Sequence, residues 1–287
     1  MVMGLRALLT KQMDSHSYND QWSAHLFLNI KIVILLHMKI DDIHIEKLKT
    51  LFADWDMTDL EYIRLNGLTN KTYKIINTTQ NICVFLRIYT KLTPDINTYI
   101  LTKCSDNGFG PTILLFYPEG RIESWIHGRD LVHGDLNGNI LKKIATKLKD
   151  FHTIIGCNHN DLNLKNILLL DSGEIQFIDF DYCNTLNPAY DIANFFIEWM
   201  YEYESTDWYK PRINLLPTKN ELRAFSREYF EKCNVDIYVD KIISTFSDVH
   251  MFWIKWASNM DDKEYQLFKM YREIITAKFD NHFLTYE

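Results

Sequence analysis

Runs of basic residues are absent from this chain. Acidic side chains outnumber basic ones by 38 to 31 over 287 residues, and the formal net charge is −7. Proteins that hold nucleic acid or an anionic membrane electrostatically need clustered Lys and Arg. We therefore expect no nucleic-acid partner, whereas an acidic surface is compatible with a small cationic substrate.

Cysteine is also scarce. The five cysteines are an odd number at wide spacing, and no two of them form a CxxC pair. Such a pattern predicts neither a disulfide framework nor a zinc site. We expect five reduced thiols in a cytoplasmic protein, at Cys83, Cys104, Cys157, Cys183 and Cys233.

A long hydrophobic run is missing as well. The most apolar stretch, residues 26–36 (LFLNIKIVILL), contains Asn29 and Lys31 and is well short of the roughly 20 residues that span a bilayer. It also makes a poor signal peptide, because polar residues precede it and no small-residue cleavage site follows. We expect no stable membrane insertion and interpret residues 1–40 as an N-terminal extension. Met38 is an alternative start that N-terminal mass spectrometry can test.

What the chain does contain is typical of a globular protein, with 47% hydrophobic and 14% aromatic residues. Its first part is rich in β-branched and aromatic segments separated by turn sequences such as NGLTN and NTTQN, which favours antiparallel strands. The predicted elements are a helix at 43–52, strands at 62–65, 71–76 and 82–89, and two further strands on either side of a turn at 118–120. These elements define a small sheet-based lobe at residues 41–125.

Helical periodicity dominates from residue 126 to residue 287. One predicted helix has an apolar face formed by Ile140, Leu141, Ile144, Leu148 and Phe151. A short hairpin follows at 166–180, with its turn at 171–173, and helices are predicted from 192 onward and over most of 219–283. The sequence therefore predicts an α+β fold with a mainly α-helical second lobe.

Two stretches share one pattern: the upstream stretch VHGDLNGNILKK at 132–143 and the downstream stretch NHNDLNLKNILLL at 158–170. Each has a His, an Asp two residues later and an Asn before Ile-Leu. Phosphoryl transfer needs a carboxylate for the attacking hydroxyl and oxygen ligands for magnesium. In the downstream stretch Asp161 is followed by Asn166, and the hairpin that starts there ends at Asp179. Because the ends of a hairpin meet, Asn166 and Asp179 are expected to lie beside Asp161, and the downstream stretch is the predicted catalytic loop.

The upstream stretch lacks those neighbours. An amphipathic helix follows it instead of a hairpin, and its Asp135 and Asn139 are one residue closer together than Asp161 and Asn166. Side-chain oxygens at a helix entry cap free backbone amides. We interpret the upstream stretch as a helix cap.

Taken together, seven segments resemble the choline/ethanolamine kinase family. They are RLNGLTNKTYKI, VFLRIYT, GFGPTILLFYPEGRIESWI, HNDLNLKNILLL, IQFIDFDY, YDIANFFIEWMYEY and FWIKWA, and they follow the family's order from about residue 60 to residue 260. The resemblance implies a two-lobed protein-kinase-like fold, with a small antiparallel-sheet N-lobe and a mainly α-helical C-lobe. It also implies ATP and Mg²⁺ as cofactors, and phosphorylation of choline as the first step of phosphatidylcholine synthesis.

The resemblance assigns roles at the nucleotide end residue by residue. Asp161 matches the base that accepts the alcohol proton, and Asn166 and Asp179 match the magnesium ligands. Arg87 matches the phosphate-contacting cation, and a forked, permanently charged guanidinium suits phosphate oxygens. An Arg within an apolar strand needs a phosphate or a carboxylate partner. The matched nucleotide contacts are the loop residues Asn66, Gly67, Leu68, Thr69 and Asn70 and the hinge residues Ser124 and Ile126.

The same resemblance implies an acceptor site for a cationic alcohol. A quaternary ammonium cannot donate hydrogen bonds, so aromatic faces and a carboxylate suit it. The matched residues are Tyr182, Glu198, Tyr203, Trp253 and Trp256, with Asp191 and His159 as structural support for the catalytic loop. Without the resemblance, the two tryptophans would be interpreted as core. We rank choline above ethanolamine as the small-molecule partner, and a homodimer remains open.

The sequence departs from the family pattern at two places. The upper-lobe segment TKLTPDINTYILTK contains no Glu to pair with Arg87, and only TIIGCN separates His152 from His159, where the family has a long, mostly helical stretch. Three hypotheses follow: a choline kinase, an ethanolamine or dual kinase, and a non-catalytic scaffold. The departures favour the scaffold, and the complete set of Asp161, Asn166 and Asp179 favours an enzyme.

Overall fold

The computed structural model describes residues 40–185, 187–231 and 234–282, with side chains to residue 277. The predicted N-terminal extension and Cys233 lie outside these ranges. The strands are β1 (Leu60–Leu65), β2 (Lys71–Asn77), β3 (Ile82–Ile88), β4 (Ile113–Tyr117), β5 (Gly120–Ser124), β6 (Gly128–Asp130), β7 (Cys157–Asn158), β8 (Ile167–Leu170), β9 (Ile175–Phe177) and β10 (Asn184–Thr185). The helices are α1 (Asp42–Leu51), α2 (Thr98–Asp106), α3 (Gly138–Ile155), α4 (Pro188–Ile197), α5 (Lys219–Phe230), α6 (Val235–Ser244), α7 (Phe246–Ala257) and α8 (Lys263–His282). None of these described helices is both long and apolar enough to cross a bilayer.

The five predicted strands form one sheet in the order β1-β2-β3-β5-β4. Ile75, Leu86 and Ile122 on its three inner strands are fully buried. Cross-strand pairing places Arg87 of β3 opposite Arg121 of β5, so two guanidiniums start from the same face of the sheet. Strand β5 begins at Gly120, where a Cβ atom would lie 2.2 Å from the carbonyl oxygen of Arg87. Only glycine allows β3 and β5 to approach this closely.

Helix α3 carries the predicted apolar face into the core of the second part. Ile144, Leu148 and Phe151 are fully buried. The helix starts after Asn137, whose side chain accepts from the amides of residues 139 and 140, so the upstream stretch is a helix entry. It ends at Gly156, whose φ of 80° is left-handed and favours glycine. The chain therefore turns straight from α3 into β7 and the downstream stretch.

The remaining elements cover the other side of this core. Strands β8 and β9 form the predicted hairpin, and β6 pairs with β8 to make a three-stranded sheet. The region predicted as mostly helical at 219–283 contains the four described helices α5 to α8. Residue 245 separates α6 from α7, and residues 258–262 separate α7 from α8. The four described cysteines, at 83, 104, 157 and 183, are free thiols, as predicted.

Phe151 gives a direct test of this core. Its ring packs against Phe109 at 5.5 Å and Phe180 at 5.6 Å between centroids, with no solvent exposure. Phe151→Ala is expected to lower the free energy of unfolding by about 3–5 kcal/mol through lost transfer energy and a cavity. The control is Ile154→Ala on the same helix, at a side chain 47% exposed, with an expected change within about 0.5 kcal/mol. Urea unfolding followed by circular dichroism measures both, and equal losses would contradict the packing described here.

Candidate active site

A cleft of about 600 Å³ lies between the five-stranded sheet and the helical part. Its lining includes most residues predicted for the site. The lining set comprises Asn66, Gly67, Leu68, Thr69, Asn70, Arg87, Ser124, Ile126, Asp161, Asn166, Asp179, Tyr182, Tyr203, Trp253 and Trp256. Glu198, Asp191 and His159 do not line it. The cleft thus joins the predicted nucleotide residues to the predicted acceptor residues.

The Asp161 carboxylate is held in one orientation by two amides. Its two oxygens accept from Nδ2 of Asn163 and from Nδ2 of Asn166, each at 2.9 Å. Burial, together with the charges of Asp179 and Glu198, raises the pKa of Asp161 well above its usual range. A carboxylate with a raised pKa is a better proton acceptor for an alcohol.

Asp191 braces the backbone of this loop from α4. One of its oxygens accepts from the amide of His159 at 2.6 Å, and the other accepts from the amide of Asn160 at 2.7 Å. Nε2 of His152 lies 2.8 Å from a carboxylate oxygen of Asp191. Nε2 of His159 lies 2.9 Å from the carbonyl oxygen of Ile178. Asp191 and His159 are thus placed where a supporting role requires them. No role was predicted for His152, although a His on the buried face of a helix needs a partner.

Asp191→Asn tests this brace. The amide that replaces one carboxylate oxygen faces a backbone N–H donor, and a buried donor left unsatisfied costs about 1–3 kcal/mol. We expect a loss of that size in unfolding free energy and a lower kcat, because the loop that carries Asp161 is misplaced. Urea unfolding and steady-state kinetics measure the two effects. Asp240→Asn on the exposed side of α6 is the control, and a variant as stable and active as that control would show that Asp191 does not brace the loop.

Asn166 and Asp179 present oxygens suited to magnesium. Asn166 donates its Nδ2 to Asp161, and no described donor reaches its Oδ1. Asp179 uses one oxygen for Arg87 at 3.0 Å and keeps a side chain 30% exposed to the cleft. Within the described residues no group of three or more His, Cys, Asp or Glu could hold a metal. One carboxylate and one amide instead fit an ion that also takes phosphate oxygens.

The ion-pair partners of Arg87 lie in the loop after β9, and none of its described partners lies in α2. Its Nη1 donates to Asp179 and, at 2.9 Å, to Asp181. Asp181 also accepts from Arg121 at 2.7 Å, and Arg121 in turn pairs with Glu123. Burial alone would raise the pKa of Asp181, but the guanidiniums of Arg87 and Arg121 outweigh it and lower that pKa. Asp181 was missed from sequence, although it is the second Asp of IDFDY.

The far end of the cleft is an aromatic wall. Trp253 lies 5.7 Å from Tyr182 and 5.6 Å from Trp256 between ring centroids. The indole N–H of Trp253 donates to Asn194 at 3.1 Å, away from the cleft. Trp208, which was not singled out from sequence, extends the wall by packing on Tyr203 at 6.0 Å. A loop tryptophan carries no periodic signal, so the sequence offered no means of placing it.

Glu198 lies behind this wall and is only 1% exposed. Helix α4 ends at Ile197, and the short turn Glu198–Met200 that follows brings Tyr203 close enough to donate its hydroxyl to Glu198. The other carboxylate oxygen accepts from Nη2 of Arg272 at 2.6 Å. The structure thus brings Glu198 and Tyr203 together but presents only the tyrosine to the cleft.

Comparisons with known proteins show the fold and the family. Choline kinase from Cryptosporidium parvum superposes with a TM-score of 0.74 over 85% of this chain and 96% of its own, at 17% identity, which shows the fold. This protein therefore has the two-lobed kinase-like α+β fold. The sequence profile of the choline/ethanolamine kinase family matches residues 62–158 and 154–281. The chain belongs to that family.

Two relatives illustrate how far the similarity extends. A probable choline kinase 3 from Arabidopsis thaliana is 26% identical over 53% of this chain and 62% of its own length. A choline/ethanolamine kinase from Homo sapiens is 24% identical over 61% of this chain and 65% of its own, so the chain spans less than two thirds of either relative. The alignment with the human relative is 260 positions long, although it covers only 61% of this 287-residue chain. Some positions of the human relative therefore align with gaps in this chain. The two profile matches overlap at residues 154–158, within the short segment between His152 and His159.

Proposed function

We propose that the protein transfers the γ-phosphate of ATP to the hydroxyl of choline, giving phosphocholine and ADP. One observation carries this proposal: Asp161 lines the same cleft as the loop at residues 66–70 and the aromatic wall. An alcohol whose cationic head packs on the wall can direct its hydroxyl at Asp161. Family membership supports the same reaction class.

In the proposed reaction Asp161 accepts the hydroxyl proton as the oxygen attacks the γ-phosphorus. Asn163 and Asn166 keep its carboxylate aimed by their two amide hydrogen bonds. Asn166 and Asp179 would hold magnesium, which supplies charge neutralisation on the phosphates when bound. Arg87 lies next to Asp179 and can contact phosphate oxygens from the sheet side.

The aromatic wall supports choline as the preferred acceptor. The faces of Tyr203, Trp253 and Trp256 can attract a quaternary ammonium through cation–π contacts, each about 0.5–2 kcal/mol. Ethanolamine is the second candidate, because the human relative carries both alcohols in its name. The division into lobes at residue 125, the cytoplasmic location and the oligomeric state stay predictions.

ADP production tests the proposal. Purified protein with magnesium and ATP is assayed with choline, with ethanolamine and without acceptor, and mass spectrometry identifies the product. We expect choline-dependent ADP and phosphocholine. If a folded, monodisperse protein makes no ADP with either alcohol, the enzyme hypothesis is wrong. A thermal shift with magnesium and ATP then separates a nucleotide-binding scaffold from a chain that binds no nucleotide.

A further inference from the structure

Most carboxylates that line the cleft are ion-paired. Besides Asp161, the described lining contains four carboxylates, and each is ion-paired. The pairs are Glu123 with Arg121, Asp130 with Lys165, Asp179 with Arg87, and Glu204 with Lys165. An ammonium group in the cleft therefore meets aromatic faces and Asp161 but no other unpaired carboxylate among the described residues.

Glu198 would be the natural exception, yet it is engaged on both oxygens. Arg272 binds one oxygen and the hydroxyl of Tyr203 binds the other. Arg272 is fully buried, and its guanidinium carbon lies 4.4 Å from the ring centre of Phe268 and 4.5 Å from that of Tyr201. The pair is thus enclosed by aromatic rings on the side of the wall away from the cleft.

Arg272 stays charged in this position. Burial opposes the charge of Arg272, but Glu198 more than offsets it and raises the pKa of the guanidinium. Burial and the charge of Glu198 also raise the pKa of Tyr203, so its hydroxyl remains a donor. Tyr203 is held by this bond with its ring toward the cleft.

We infer that Arg272 determines acceptor specificity by binding Glu198 behind the aromatic wall, which keeps that carboxylate from the substrate and favours a quaternary over a primary ammonium. The inference rests on the proposed function and deepens it. A primary ammonium brings three N–H donors that lose their water in the cleft and find no carboxylate from the wall. A quaternary ammonium has no N–H to satisfy and gains the aromatic faces.

Three variants test this role. Arg272→Met removes the guanidinium and frees one oxygen of Glu198 for a primary ammonium. The double variant Glu198→Gln, Arg272→Met removes both charges together, which avoids a buried unpaired carboxylate. Arg272→Lys keeps a cation at this position. The measured quantity is the ratio of kcat/KM for choline to kcat/KM for ethanolamine.

We expect Arg272→Met to lower this ratio by about tenfold or more, because a hydrogen bond from the primary ammonium to a carboxylate would then offset part of the hydration that ethanolamine loses. Arg272→Lys and the double variant are expected to keep the preference for choline. A folded Arg272→Met with an unchanged ratio overturns the inference. If Arg272→Met does not fold, the double variant tests the inference. Loss of its preference for choline would mean that Glu198 itself contacts the substrate, and the inference would be wrong.

A binding experiment separates this inference from the proposed function. Tryptophan fluorescence reports binding of tetramethylammonium and methylammonium to the wall without any turnover. We expect the wild type to prefer tetramethylammonium and Arg272→Met to lose that preference. If this binding result is obtained but the protein phosphorylates neither alcohol, the role of Arg272 is supported and the proposed reaction is refuted. Choline turnover together with a binding preference that Arg272→Met leaves unchanged refutes only the role of Arg272.

Discussion

Asp161→Asn is expected to lower choline-dependent turnover by about 10²- to 10⁴-fold, the usual contribution of a general base. An amide has no basic oxygen for the alcohol proton. In addition, only one of its two polar atoms can accept, so one of the donors from Asn163 and Asn166 loses its partner. The substitution changes neither the loop at residues 66–70 nor Arg87, and we therefore expect ATP binding to be nearly intact.

The chain contains its own control for this experiment. Asp135 belongs to the upstream stretch, and its carboxylate accepts two hydrogen bonds of 2.7 Å from Arg129 beside the entry to α3. Asp135→Asn is expected to leave turnover within about twofold, as for a surface substitution away from the reaction. Steady-state kinetics and ATP titration are run on both variants. Comparable turnover in Asp161→Asn and the wild type would mean that another group accepts the proton.

The sequence predicted the parts of the site whose signals are local. The strands and α3 follow from alternation and helical periodicity, and the observed bounds differ from the predicted ones by a few residues at most. The catalytic loop follows from the spacing of Asp161, Asn166 and Asp179, since a hairpin must bring its ends together. All three line the cleft. Their roles remain predictions until the variants are measured.

Long-range partners could not be found in this way. Asp181 meets Arg87 across 94 positions, and Glu198 meets Arg272 across 74. Nothing in the neighbouring sequence tells a buried ion pair from two solvated charges. The segment TKLTPDINTYILTK contains no Glu to pair with Arg87. The structure shows that Asp179 and Asp181, from another element, both accept from Nη1 of that guanidinium.

Asp181→Asn should therefore be among the most destabilising changes in the protein. Two buried guanidiniums, those of Arg87 and Arg121, share this carboxylate. Removing one partner of a buried ion pair costs about 3–5 kcal/mol. We expect the lower end of this range, because Arg87 keeps Asp179 and Arg121 keeps Glu123. Asparagine keeps the volume but removes the charge and one of the two oxygens that accept from the guanidiniums. A loss of this size in urea unfolding is accordingly the cost of the missing charge and the missing acceptor, with little contribution from packing.

The matched control is Asp236→Asn, which removes an exposed carboxylate 2.8 Å from Arg223. Exposed pairs contribute about 0–1 kcal/mol, so this variant should unfold almost like the wild type. The charge on Asp181 also positions Arg87, and we expect surviving activity to show a raised KM for ATP. Equal stability losses in the two variants would mean that water screens the charge of Asp181 as strongly as it screens the charge of Asp236. Arg87 would then need bound phosphate to hold its place.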